Sequence, residues 1–261
     1  MHHPTPWILR HGGGPRPRLR LYCFPYAGGH AGIYTPWQGK LHPDVEICAV
    51  QLPGRGARFR DPGFKALPPL IEALVRELPL DGAVPFAFFG HSMGGLIAFE
   101  LARRLQALGR PQPRRLIVSG CDAPQHRQPP RGLHRMDDAG FIAALRDYNG
   151  TPAEILANRE MMELLLPSLR DDFQLVETYR YEAGAPLAMP TTVLAGRDDR
   201  QRLPEQTEGW QRETTGPSRV HWFDGGHFFI ASAREAVLAR VNAELAELLA
   251  APSAPRPVAQ L

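Results

Sequence analysis

Short apolar runs rich in β-branched and aromatic residues alternate along the chain with longer segments whose apolar residues recur every three or four positions. The short runs predict six strands, at residues 18–24, 45–52, 84–89, 115–119, 191–195 and 219–223. The longer segments predict helices over 67–78, 96–108 and 231–249, the last gathering Val237, Leu238, Val241, Leu245 and Leu248 on one face. Strand followed by helix, several times over, implies an α/β fold: a mostly parallel central sheet with helices on both faces.

One stretch breaks the rhythm. Between about Pro124 and Pro190 there are helical patterns at 137–148 and 160–180 but no convincing strand, with Pro129, Pro130, Pro152, Pro167 and Pro186 as punctuation. A helical insertion between two sheet strands is expected here, acting as a lid over a site at the carboxyl ends of the strands. With 261 residues the chain is long enough for one α/β domain, residues 1–250, carrying this insertion at 124–190. The proline-rich tail 251–261 is expected to be disordered.

Charge narrows the partners. Thirty basic and 27 acidic residues leave a formal net charge of +3, too little for a strong field toward nucleic acid or an anionic membrane. Only Lys40 and Lys65 are lysines; the many arginines read as compositional bias. Cys23, Cys48 and Cys121 cannot all pair and sit in or beside apolar runs, as buried reduced thiols of a cytoplasmic protein would. Residues 1–17 lack an apolar core, and no run approaches eighteen apolar residues, so neither export nor membrane spanning is expected.

The strongest chemical signal is Gly90-His91-Ser92-Met93-Gly94, placed between a predicted strand and a predicted helix. A sharp strand-to-helix turn lifts a serine hydroxyl above the sheet, and glycine two residues to either side removes the Cβ atoms that would collide. Such a nucleophile needs a histidine base and an acid to orient it, in the chain order Ser, acid, His. That order leaves His221 and His227; His221 falls inside a strand pattern, whereas His227 follows Asp224-Gly225-Gly226 just past a strand end and is taken as the base. His91 points away from its neighbour Ser92 on so tight a turn and is expected to pack behind it. The acid should follow the strand at 191–195, in Gly196-Arg197-Asp198-Asp199-Arg200. Three residues past the glycine selects Asp199; a one-residue shift of the turn would select Asp198, and Asp224 is a more distant third choice. An oxyanion hole is expected from the backbone N–H of Met93 and of Ala27, with Gly28 next, in Phe24-Pro25-Tyr26-Ala27-Gly28-Gly29. The turn Leu52-Pro53-Gly54-Arg55-Gly56-Ala57-Arg58 has no catalytic role forced on it by its residues.

Together, the segments beginning at Phe24, Leu52, Gly90, Gly196 and Gly225 (Gly-Gly-His-Phe-Phe) resemble those of the type II thioesterases, over most of the chain from Trp7 to about Leu249. These free-standing α/β-hydrolases accompany nonribosomal peptide synthetases and polyketide synthases. The resemblance implies hydrolysis of aberrant or stalled acyl groups from the phosphopantetheine arm of carrier domains through an acyl-serine intermediate. It implies Ser92, Asp199 and His227 as the triad and Ala27 and Met93 as the oxyanion hole, with no metal and no cofactor. Arg200 departs from the proline frequent after the acid. Carrier domains are the expected partners and a monomer the expected state; Arg55 and Arg58 become candidates for a local basic patch facing an acidic carrier. The competing readings are a medium-chain acyl-carrier thioesterase of fatty-acid synthesis, a general esterase, and an inactive carrier-binding protein. His126 and His134 in the insertion make a poor metal-ligand pair.

Overall fold

The computed structural model describes residues 5–127, 129–148, 156–199 and 204–251. The tail expected to be disordered lies, beyond residue 251, outside the described residues. A seven-stranded sheet runs in the order β1-β3-β2-β4-β5-β6-β7. Its strands are β1 (Ile8–Gly12), β2 (Leu19–Phe24), β3 (Val45–Val50), β4 (Phe86–His91), β5 (Leu116–Ser119), β6 (Thr191–Gly196) and β7 (Ser218–Phe223). Every neighbouring pair is parallel except β1 with β3. Strand β1 is an addition to the six strands the pattern predicts. It is short, half-exposed and at the sheet edge, so it carries little of the apolar run that marks its buried neighbours.

Successive side chains of the central strands point to opposite faces, and both faces are buried. Tyr22, Phe24 and Phe88 pack on one side with helices α1 (Leu67–Glu77) and α2 (Met93–Ala107). Leu21, Cys23 and Phe89 pack on the other with Val237, Val241 and Leu245 of the C-terminal helix, Arg234–Ala250. A short helical turn, Phe229–Ser232, precedes that helix where one continuous pattern was expected. All three cysteines are buried. No helix among the described residues is long and apolar enough to cross a membrane.

The chain leaves β2 for β3 on one side and later places β4 on the other side of β2, so the sheet changes direction between β2 and β4. Loops after adjacent parallel strands diverge at such a point and leave a crevice at their carboxyl ends. Over that end sit α3 (Asp138–Tyr148) and α4 (Arg159–Thr178), with a core of their own built from Leu133, Phe141, Leu145, Leu166, Leu169 and Phe173. Asn158 caps α4 by accepting from the Met161 N–H at 3.0 Å. Pro167, read from sequence as punctuation, lies inside α4. An interior proline costs a helix about 3 kcal/mol; burial of Met162, Leu166, Leu169 and Phe173 on one face offsets it.

Candidate active site

The turn from β4 into α2 is strained where the sequence requires it. Ser92 has φ 54° and ψ −118° and is the one described non-glycine residue with positive φ. A Cβ on Gly90 would stand 2.1 Å from the Gly94 carbonyl oxygen, and one on Gly94 would stand 2.1 Å from that of Phe24. Both obstacles are backbone, so glycine is obligatory at each place. The Ser92 N–H donates to the Ser119 carbonyl at 2.8 Å, fastening the turn to β5.

The later loops complete the constellation. His227 Nε2 lies 3.0 Å from Ser92 Oγ, and His227 Nδ1 lies 2.8 Å from Asp199 Oδ2. The imidazole and the carboxylate are both buried. The three candidate acids are separated by geometry. Asp198 Oδ2 accepts from the Gly225 N–H at 3.3 Å, Asp224 is exposed and 3.5 Å from Arg197, and Asp199 alone reaches the histidine. The loops after β6 and β7 meet so closely that a Cβ on Gly196 would stand 2.5 Å from the Gly226 carbonyl. Arg200, the departure in this loop, lies outside the described residues.

Three other histidines face groups away from Ser92 Oγ. His91 is fully buried, with Nδ1 2.9 Å from Ser119 Oγ and its ring 5.2 Å from that of His227. His221 faces Glu244 on the C-terminal helix at 3.8 Å; burial, then Arg240 and Arg219, hold its pKa below the usual range. His134 meets the Glu177 carboxylate. No group of three or more potential metal ligands gathers among the described residues.

On the oxyanion side, the Met93 N–H opens α2 and belongs to the first turn, whose donors have no intrahelical acceptor. The Ala27 N–H has no acceptor among the described residues. Gly28, the next choice, is different: its N–H donates to Asp172 Oδ2 at 2.7 Å. Ala27, Ser92, Met93 and His227 together line a cavity of about 760 Å³. Leu145, Leu169, Phe173 and Val176 of the insertion form its apolar wall. Glu177, Tyr179 and Tyr181 also line it but are already partnered. Burial pushes both phenols up, aided at Tyr179 by Glu100 and at Tyr181, which reaches about 12, by Glu213, so both stay protonated at neutral pH.

Two arginines are not where a docking patch would need them. Arg55 is buried against Asp172, with Nη1 to Oδ2 at 2.6 Å and Nη2 to Oδ1 at 2.7 Å. Arg58 lies over the Trp7 ring at 4.0 Å and pairs with Asp61 at 2.8 Å. The arginines that line the cavity are instead Arg131 and Arg180, both exposed, and half-buried Arg127. Asp172 was missed in the sequence. Its signal was a carboxylate standing among Leu169, Phe173 and Val176 on the apolar face of a helix.

A serine at a strand-to-helix turn on a parallel sheet, with an acid and then a histidine on later loops, defines an α/β-hydrolase. The chain belongs to the thioesterase family, whose thioesterase domain model matches residues 19–245, and to its type II members. It is a thioester hydrolase by that membership. Among solved structures, the type II thioesterase BorB from the borrelidin biosynthetic cluster is 34% identical with a TM-score of 0.84, covering 94% of this chain and 100% of that one. Thioesterase PikA5 of Streptomyces venezuelae is 39% identical over 86% of this chain and 80% of its own length. A Brevibacillus parabrevis protein named linear gramicidin dehydrogenase LgrE is 39% identical over 94% of this chain and 95% of its own.

Proposed function

We propose that this chain hydrolyses aberrant or stalled acyl groups from the phosphopantetheine arm of carrier domains in nonribosomal peptide or polyketide assembly, with Ser92, His227 and Asp199 as its triad. The observation that carries the reading is Ser92 Oγ, held in strained backbone, 3.0 Å from His227 Nε2 and open to the acyl-sized cavity. As Oγ attacks the thioester carbonyl, His227 takes its proton and Asp199 holds the imidazolium through Nδ1. The tetrahedral oxyanion is met by the Met93 and Ala27 N–H groups. Collapse breaks the C–S bond, and the departing thiolate takes the proton from His227. Water then attacks the acyl-serine with His227 again as base, releasing the acid and restoring Ser92.

The insertion acts as a lid in this reading, since its helices wall the acyl chamber while the sheet holds the reacting groups. The names of BorB and PikA5 support a biosynthetic thioesterase. The dehydrogenase name of the Brevibacillus relative does not transfer, because hydride transfer has no use for an activated serine facing an oxyanion site.

A panel of acylated carrier proteins tests the proposal, with acetyl, propionyl, hexanoyl and dodecanoyl groups and the matching oxygen esters as controls. Release of acetyl and propionyl groups, lost in Ser92→Ala, is expected. A sharp optimum at medium chains would assign the chain to fatty-acid synthesis, and rapid ester cleavage with carrier thioesters left intact would make it a general esterase.

A further inference from the structure

Arg55 was singled out by its motif and left without a task by the mechanism, yet it lies at the centre of a buried polar network beside the site. Arg55 and Asp172 are 6% and 2% exposed. A buried ion pair seldom adds net stability over an apolar pair of similar volume, so its presence asks for another reason. The bonds supply one. Asp172 Oδ2 accepts from both Arg55 Nη1, at 2.6 Å, and the Gly28 N–H, at 2.7 Å. Arg55 also reaches back to the Gly29 carbonyl at 3.3 Å and to the Pro53 carbonyl at 3.2 Å. Gln51 joins the same net, its Oε1 taking the Ala31 N–H at 3.1 Å and its Nε2 donating to the Arg55 carbonyl at 2.9 Å. Three segments far apart in the chain are thereby tied: the loop after β2, the loop after β3, and α4 of the insertion.

The loop after β2 is the one that carries Ala27. Gly28 has φ +78°, and a Cβ there would stand 2.5 Å from Leu169 Cδ2 on α4, so the loop lies directly against the insertion. With the Gly28 amide held by Asp172, the peptide plane immediately after Ala27 is fixed.

We propose that Asp172 and Arg55 are positioning residues that hold the Gly28 amide on α4 and thereby aim the Ala27 N–H at the oxyanion, making the seating of the insertion a condition for a complete oxyanion hole. This rests on the triad and oxyanion assignment above. When α4 is not seated, Ser92 and His227 keep their geometry but one donor loses its aim.

Two variants and two ligands test it. Asp172→Asn keeps the volume but offers one acceptor oxygen to three donors. The double variant Arg55→Met with Asp172→Leu removes both charges and leaves the Gly28 amide without an acceptor. Each is assayed with a hexanoyl-N-acetylcysteamine thioester, and its affinity is measured for a trifluoromethyl ketone, which forms a hemiketal oxyanion on Ser92, and for the inert thioether analogue. Removing such a donor outright costs about 100- to 1,000-fold in turnover, and a donor that is misaimed but still present costs less. Expected here is a fall in kcat of about 10- to 100-fold with KM within about 3-fold, ketone affinity falling in step and thioether affinity unchanged. Cooperative unfolding near the wild-type Tm would accompany it in the double variant. Should the double variant not fold, Asp172→Asn decides alone. A folded variant with wild-type kcat and ketone affinity, or a loss confined to KM, would overturn the proposal. A wild-type chain that cleaved no thioester would overturn the functional reading instead, and the ketone-to-thioether ratio would still decide whether Asp172 aims the oxyanion donor.

Discussion

Asp198 and Asp199 are adjacent, identical in chemistry and both bonded, yet conversion to asparagine should separate them by orders of magnitude. Asp199 Oδ2 accepts the Nδ1 proton of His227 at 2.8 Å, and both side chains are almost wholly shielded from water. An asparagine there either presents its amide N–H to Nδ1, which reverses the histidine tautomer, or accepts as a neutral group that no longer stabilises the imidazolium. In a triad of this kind that change costs about 10⁴ in kcat, or about 5.5 kcal/mol at 1.36 kcal/mol per decade. Among the described residues, the Asp198 carboxylate accepts the Gly225 N–H, at 3.3 Å on an exposed loop, and the asparagine oxygen can accept the same bond. Its loss is expected to stay within about threefold, since exposed neutral replacements are worth a few tenths of a kcal/mol. Single-turnover hydrolysis of an acyl-N-acetylcysteamine thioester, with Tm measured alongside, reads both. Asp199→Asn keeping a tenth of wild-type kcat, or Asp198→Asn losing a hundredfold, would refute the assignment of the acid.

Gly94→Ala sets a Cβ 2.1 Å from the Phe24 carbonyl oxygen and 2.8 Å from that of Pro25, and backbone cannot move aside cheaply. A loss of about 3 kcal/mol is expected, against about 1 kcal/mol for Gly109→Ala, where strain at positive φ is the cost and nothing lies within 4 Å; urea unfolding compares them. Reversal of the exposed charges, Arg131→Glu with Arg180→Glu, is expected to lower kcat/KM toward an acyl-carrier protein about tenfold, with an effect that shrinks in salt, and to spare the N-acetylcysteamine thioester. Equal loss on both substrates would remove the charges from docking. Burial raises the Glu177 carboxyl, but the His134 side chain and the Leu133 and His134 N–H groups outweigh it and hold its pKa below the usual carboxylate range. A depressed carboxylate contributes stability above its unfolded value, about 4.3, and loses it as pH falls through the folded value. The stability gap between wild type and Glu177→Gln is therefore expected at pH 7 and should narrow below about pH 4 in urea titrations; a gap constant from pH 7 to 3.5 would contradict it.

The site was legible where its chemistry is local. Glycines two residues either side of Ser92 are a steric demand written into five consecutive positions, so the turn could be read without knowing what packs on it. The choice of His227 over His221 was legible for a similar reason, since a strand pattern engages one and a Gly-Gly loop presents the other. Asp199 against Asp198 was less so, because the phase of a tight turn depends on Gly196 meeting the carbonyl of Gly226, residues 30 positions apart. Arg55 was misread for the strongest reason: its partner, Asp172, is 117 residues away on an insertion whose seat no local pattern records. Strand β1 and the passage of α4 through Pro167 were hidden by the same logic, one resting on edge pairing with β3 and the other on burial that outweighs propensity.

The chamber itself bears on how this chain would choose among acyl groups. Its wall toward α3 and α4 is Leu145, Leu169, Phe173 and Val176, while Tyr179, Tyr181 and Glu177 are committed to Glu100, Glu213 and His134. Strong rejection of a wrong substrate needs polar groups that are left unpaired when it binds; an apolar wall separates ligands mainly by size, at about 0.8 kcal/mol per methylene. On the proposed function, acyl groups that fit should be hydrolysed with shallow preference. Selection beyond size then falls to the macromolecule that presents the thioester, read outside the chamber by charge. A substitution in the wall, such as Phe173→Ala, would accordingly shift the preferred acyl length equally for a carrier-bound and a free thioester, whereas Arg131 and Arg180 would change the carrier-bound rate at every length.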